Sequence, residues 1–277
     1  MSIDRKRFLE TTGWAAAGAA LGALGRGLLP RSPAGEGGSP PPPGAPIVRP
    51  SPALPTIASP SDQVHGDESF SQAGEDLIVR FFFQVRGIGK ITYLDIGAND
   101  PIELSNTYYF YRKGYRGVLV EPNVSLCEKL RAVRPEDTTL VAGIGATSAK
   151  EADYYIMSQP GLNTFSKEEA DHQTEVTKGR FSVKEVIKMP LLNINDVMIK
   201  YFRDAPTFLS VDTEGLDLEI LKSINYERFR PNVICAETLV SSTSKMIPEI
   251  PEFMASRGYV ARGGSFVNTV FVDSKIL

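Results

Sequence analysis

The chain has 277 residues, a formal net charge of −3 and no long basic run in its body, which argues against nucleic acid as its main partner. Two cysteines, Cys127 and Cys235, lie in apolar surroundings and read as buried free thiols rather than a disulfide. Only two histidines are present, with no Cys-x-x-Cys or His-x-x-x-His spacing, so a histidine-rich zinc site is excluded.

The chain divides into three parts. Residues 1–29 form a targeting segment: Arg5-Lys6-Arg7-Phe8-Leu9 precedes an apolar stretch from Trp14 to Gly25 that is rich in alanine and glycine. A basic start followed by a short apolar run is signal-peptide architecture. The run is too short for an ordinary membrane span. It resembles a bacterial twin-arginine signal, with Lys6 in the place of the second arginine. Export or tethering to a membrane through this segment is the expectation. Residues 30–66 hold 11 of the 20 prolines and no hydrophobic period, so they form an extended, disordered linker. Residues 67–277 remain, enough for one domain with a sizeable core.

Within that domain, Ser71 is placed to cap a helix that runs through Leu77–Phe83, and Glu75 and Asp76 suit its positive end. Ile91–Ile96 is a short apolar run closed by Gly97, a buried central strand. A helix over Ser105–Lys113, a strand at Val118–Val120, a helix over Val124–Val133 and a strand at Thr138–Val141 follow. Asp153–Met157 is a short edge strand. Gly161–Arg180 has no period and reads as a long loop of the kind that forms lids. Val183–Met189 is a strand, Ile194–Phe202 a helix entered through Asn193 or Asn195, and Thr207–Asp212 a second core strand. Asp217–Ile224 is a helix, Asn232–Glu237 a strand, and Lys245–Arg257 mostly helix. Tyr259–Ala261 and Phe266–Val272 pair as a terminal hairpin.

Strands alternating with helices predict an α/β fold, a mostly parallel sheet with helices on both faces. Right-handed crossovers bring the C-terminal ends of the parallel strands to one edge. Asp95, Glu121 and Asp212 stand at such ends and can converge there. Gly97 allows a sharp turn and a close approach to the backbone. Glu121, 24 residues after Gly97, can accept both hydroxyls of a ribose. The pattern Asp-x-Gly-x-Asn lacks the further glycines that admit a pyrophosphate, which points to a nucleoside cofactor without phosphates and against a nicotinamide oxidoreductase. S-adenosylmethionine fits, because its cationic groups favour an acidic site. The bland alternative is that Asp95 caps a turn and Glu121 caps a helix. Asp212 and Glu214 together offer either a general base for a substrate hydroxyl or oxygen ligands for a divalent metal; a simple helix cap at Glu214 is the competing reading. His172 reads as solvated, and Tyr108 and Tyr109 as packing residues.

Four stretches carry a resemblance: Ser69-Phe70-Ser71-Gln72-Ala73-Gly74-Glu75-Asp76; Leu94-Asp95-Ile96-Gly97-Ala98-Asn99 with Ser105-Asn106-Thr107-Tyr108; Val120-Glu121-Pro122-Asn123; and Leu209-Ser210-Val211-Asp212-Thr213-Glu214-Gly215. From about Phe70 to Val272 the chain resembles the FkbM-type methyltransferases, a branch of the class I S-adenosylmethionine-dependent enzymes. The resemblance implies a three-layer, Rossmann-like, seven-stranded sheet and methyl transfer to a hydroxyl of a sugar, glycan or secondary metabolite. It implies that Asp95, Gly97 and Asn99 surround the cofactor's amino-acid end, that Glu121 and Asn123 lie at its ribose, and that Asp212 and Glu214 face the substrate or a metal. The alternative class is a non-catalytic binding domain of the same fold displayed on a stalk. The N-terminus motivates it, because the cofactor belongs in the cytoplasm.

Overall fold

Alternate residues of the central strands are apolar on both sides, and this sets the layers. The computed structural model describes residues 67–277 apart from 214 and 241–244; the expected targeting segment (1–29), the whole of the expected linker (30–66) and Glu214 lie outside the described residues. The strands of the main sheet are β1 (Thr92–Ile96), β2 (Arg116–Glu121), β3 (Thr138–Val141), β7 (Phe208–Val211), β8 (Val233–Glu237), β11 (Tyr259–Gly264) and β12 (Asn268–Asp273). Their order is β11-β12-β8-β7-β1-β2-β3. The five strands from β8 to β3 are parallel, and β12 runs against β8 and pairs with β11 as the antiparallel C-terminal hairpin.

A strand's side chains point to opposite faces in turn. Leu94, Ile96, Val118, Val120, Leu209, Val211, Ile234, Ala236 and Phe271 therefore pack on one face. That face is covered by α5 (Ile194–Phe202), α6 (Asp217–Ser223) and α7 (Glu249–Ser256). Tyr93, Leu119, Phe208, Val233, Cys235, Val270 and Val272 pack on the other, under α1 (Glu75–Val85), α2 (Tyr108–Arg112) and α3 (Val124–Val133). The result is the three-layer Rossmann-like α/β sheet, with seven strands. Asp95, Glu121, Ser210, Glu237 and Asn268 continue the second alternation. They lie at the sheet edge on the side of α1, α2 and α3.

Local chemistry explains most element boundaries. Asn193 caps α5 by accepting the N–H groups of Asn195 and Asp196, and Asn123 caps α3 by accepting those of Ser125 and Leu126. Pro251 falls in the first turn of α7, where its missing N–H has no helical partner to lose. Ser71 is not the N-cap residue of α1, which is Gly74 with φ 94°; the Ser71 hydroxyl instead accepts the N–H groups of Gly74 and Asp76. The helix expected over Ser105–Lys113 is shortened to α2, because Ser105 holds the N–H groups of Thr107 and Tyr108 in a turn before it.

The long loop expected at Gly161–Arg180 is corrected by the structure. It contains a 3-10 turn (Pro160–Leu162) and α4 (Lys167–Val176). Ser166 accepts the Glu169 N–H at 3.2 Å, the Ser-x-x-Glu spacing of a capping box. Its sequence carries no helical period because only Ala170 and Gln173 are buried, a stripe too narrow to set one. α4 lies between β5 (Glu151–Met157) and β6 (Val183–Leu192), which with β4 (Gly143–Ile144) form a separate three-stranded sheet in the order β4-β6-β5. Residues 245–257 are also only partly helical, since Lys245–Met246 (β10) pairs with Leu239–Val240 (β9) before α7 begins. No helix among the described residues is long and apolar enough to cross a membrane.

Candidate active site

The C-terminal edge of β1, β2 and β7 gathers the acidic residues singled out by the sequence. Asp95 is the penultimate residue of β1 and is almost wholly buried. Its Oδ2 accepts the Thr107 hydroxyl at 2.6 Å, and the Ser210 side chain, its register partner on β7, also hydrogen-bonds to it. Burial pushes the Asp95 carboxyl up; the Thr107 bond, the Arg134 charge and the Ser210 bond pull it back down. Gly97 turns with φ 81°. A methyl group there would lie 1.8 Å from the Asp212 carbonyl oxygen, so its freedom serves the close approach of the β1 and β7 ends. The Asp212 N–H donates to the Ile96 carbonyl at 3.0 Å across the same junction.

Glu121 ends β2, buried, with each oxygen taking one backbone donor: Asn99 N–H at 3.0 Å on Oε2 and Asn123 N–H at 2.7 Å on Oε1. The carboxylate is thus clamped between the turn after β1 and the turn after β2. Each oxygen retains a lone pair, so paired hydroxyls can still be received. Burial pushes Glu121 up to about 7 despite those two bonds. Asn99 adopts a left-handed φ of 49°, and what it contributes here is its backbone. The Asn123 side chain is occupied in capping α3.

Asp212 follows β7 and is only part-buried at its surface. Its carboxyl is held above the usual range, first by desolvation within the fold and then by the charges of Asp217, Asp95 and Glu75. Asp217, at the start of α6, accepts from the Thr213 N–H and hydroxyl and the Gly215 N–H, and burial pushes it to about 6. It stabilises the turn that carries Asp212. Glu75 stays below its ordinary value although burial works against it, because Ser265, the Ala73 N–H and Asn268 donate to it. Asp95, Glu121 and Asp212 therefore come together. Asn99 and Asn123 join them through backbone groups.

A sequence model described as Methyltransferase FkbM domain matches residues 95–261, more than half of the chain. The chain belongs to the FkbM methyltransferase family. Among curated proteins none matches it. Similar solved structures include a TehB-like SAM-dependent methyltransferase from Corynebacterium glutamicum, at 8% identity and TM-score 0.41 over 75% of this chain and 90% of that one. Another is the O-methyltransferase from Bacillus cereus in complex with SAH, at 13% identity and TM-score 0.37 over 75% and 84%. A third is a SAM-dependent methyltransferase from Geobacter sulfurreducens with S-adenosyl-L-homocysteine, at 9% identity and TM-score 0.35 over 72% and 69%.

The donor set of this FkbM methyltransferase fits S-adenosylmethionine. A clamped carboxylate with free lone pairs stands at one strand end and a buried carboxylate at the next, and a cationic nucleoside without phosphates matches both. The divalent-metal alternative finds no group of three or more His, Cys, Asp or Glu suited to an ion among the described residues. His172 is half-buried on α4, Tyr109 is buried in the core and Tyr108 packs edge-on to Phe70, so the tyrosines are packing residues as expected. Cys127 and Cys235 are free and buried. Thr107, Ser210 and Arg134 join these acids through hydrogen bonds or charge, and none was named as a candidate from the sequence. The stretches Ser105-Asn106-Thr107-Tyr108 and Leu209-Ser210-Val211-Asp212 contain the first two, and Arg134 lies in no such stretch.

The raised acids make stability depend on pH in a defined direction. Folded Glu121 and Asp217 hold protons up to about 7 and about 6, whereas the unfolded chain releases them near 4. Between those limits the folded state binds more protons, so stability falls as pH rises. Glu121 alone contributes up to about 3 kcal/mol of that fall. Urea midpoints measured from pH 5 to 8 should decline, and Glu121→Gln should flatten the decline. Parallel curves for the two proteins would show that Glu121 does not hold the proton.

Proposed function

We propose that this methyltransferase transfers a methyl group from S-adenosylmethionine to a hydroxyl of a sugar, glycan or secondary metabolite. The observation that carries this reading is Asp212. It is a partly exposed carboxylate with raised proton affinity, joined through its backbone to the turn that follows Asp95. A base of that kind suits removal of a proton from an alcohol near neutral pH.

In this reading the cofactor supplies an electrophilic methyl on a cationic sulfur. Asp95 receives the cationic amino-acid end, and Glu121 receives the ribose hydroxyls. Gly97 brings the β1 and β7 ends together so that Asp212 stands beside the cofactor edge. Asp212 would accept the proton of the acceptor hydroxyl as that hydroxyl's oxygen takes the methyl carbon and the carbon–sulfur bond breaks, its electron pair leaving with the sulfur. Glu214, outside the described residues, is the companion candidate for that role. Most of the acceleration then comes from alignment, since substitution at a methyl carbon needs donor and acceptor in line. The non-catalytic alternative is not favoured by membership of a methyltransferase family.

Calorimetric titration of the full chain with S-adenosylmethionine tests the first half; absence of binding at millimolar ligand would sink it. Labelled methyl transfer to a panel of glycans tests the second. The product should be an ether that survives mild alkali. A label released by alkali would mean carboxyl methylation and would reject the hydroxyl acceptor.

A further inference from the structure

Arg134 is the largest fully buried side chain in the described structure, and nothing in the proposed reaction uses it directly. It follows α3 in the turn toward β3. Its Nε and Nη2 reach Asp137 Oδ2 at 2.9 and 2.8 Å, its Nη1 reaches the Ser105 hydroxyl at 3.3 Å, and its Nη2 reaches the Thr107 hydroxyl at 2.9 Å. Asp137 in turn accepts the Tyr93 hydroxyl and the Gly117 N–H at 2.8 Å. The Thr107 hydroxyl sits 2.6 Å from Asp95 Oδ2.

The direction of these bonds is forced. A guanidinium has donors and no acceptor, so the Thr107 oxygen must accept from Arg134, and toward an ionised Asp95, which only accepts, the Thr107 hydroxyl is the donor. Asp95 Oδ2 is therefore held as an acceptor. Chains of bonds that run in one direction from a cation polarise one another. The charges are also unequal. Arg134 and Asp137 cancel, so an ionised Asp95 has no further cation among the groups that face it to balance its charge. A bound cation completes the balance. A buried ion pair is a weak source of stability on its own, so a role beyond folding is a physical reason for Arg134 to be there.

We propose that Arg134 is a positioning residue of the cofactor site: acting through the Thr107 hydroxyl, it orients the Asp95 carboxylate to receive the cationic end of S-adenosylmethionine. The inference rests on the cofactor reading given above. The groups facing Asp95 are Thr107 before α2, Ser210 and Asp212 from β7 and its end, Glu121 from β2, Cys235 from β8, and Arg134 and Asp137 from the α3–β3 turn. Three of them, the Thr107 hydroxyl, the Arg134 charge and the Ser210 side chain, favour the anion, against burial and the Asp137 charge, which hold the carboxyl above its usual range. Loss of the hydroxyl should leave Asp95 easier to protonate as pH falls.

Thr107→Val tests this without disturbing the Arg134–Asp137–Tyr93 contacts. Affinity of the full chain for S-adenosylmethionine should fall about 10-fold, the worth of one bond to a charged group. The fall should deepen from pH 8 to pH 6 relative to the parent. Thr107→Ser keeps the hydroxyl and should bind within about twofold of the parent, by the same reasoning. Arg134→Lys, which keeps the charge but loses the planar fork, should lie between them. Two outcomes overturn the inference: Thr107→Val binding like the parent at every pH, or both Thr107 variants losing affinity equally and without pH dependence. Asp95→Asn separates the two levels of the argument. If it binds like the parent, the cofactor reading itself fails; if it loses binding while Thr107→Val does not, only the relay fails.

Discussion

Gly97→Ala should destabilise the domain by about 4 kcal/mol, or prevent folding altogether. Two costs act together. The residue sits at φ 81°, where a side chain is strained by about 1–3 kcal/mol. The added carbon would also lie 1.8 Å from the Asp212 carbonyl oxygen, which is backbone and cannot swing aside. Relief requires β1 and β7 to separate at their C-terminal ends, with loss of the Asp212 N–H bond to Ile96. Glycines with open space around them provide the control. Gly89→Ala meets nothing within 4 Å and is not at positive φ, so its effect should stay within about 0.5 kcal/mol. Urea unfolding of both variants decides the matter, and equal midpoints would show that the two strand ends do not depend on Gly97.

Asp212→Asn should lower the rate of methyl transfer about 10²–10⁴-fold, the usual contribution of a positioned base. Asparagine has the same size and cannot take the proton. Cofactor affinity should change little, because Asp95 and Glu121 are left intact. The loss should therefore fall on kcat, with the S-adenosylmethionine Kd within about threefold. The parent's rate should rise with pH through the neutral range, since Asp212 must be ionised to act and its carboxyl is held above the usual carboxylate range. An Asp212→Asn enzyme that retained the parent rate would transfer the role to Glu214 or leave the reaction without a side-chain base.

The central elements were legible because their sequence signals are redundant. β1 lies in a short, largely apolar run closed by Gly97, its last four residues buried, and α3 is stopped by Pro135. α4 was illegible because its buried stripe is Ala170 and Gln173 alone, and its capping box sits inside a polar run. The separate β4-β6-β5 sheet was equally hidden, since period-2 patterns mark a strand but not the sheet it joins.

The site divides along the same line. Asp95, Gly97, Glu121 and Asp212 could be named from sequence because each sits at a strand end beside a turn, and the alternation of strands and helices places those ends on one edge. Arg134 could not. Before a proline at the end of a helix an arginine reads as a solvated terminus, and only the packing of the α3–β3 turn against α2 and β1 buries it. The role of Gly97 likewise changed: the chain demanded a residue free to turn, and the tertiary structure showed that the body approaching it is the Asp212 carbonyl. By itself the sequence determined the seven strands of the main sheet and the acids at their ends, because these follow from local periodicity and turn chemistry. The tertiary structure decided which of those acids keep their protons and which buried cation opposes them, because burial and charge act through space between residues far apart in the chain.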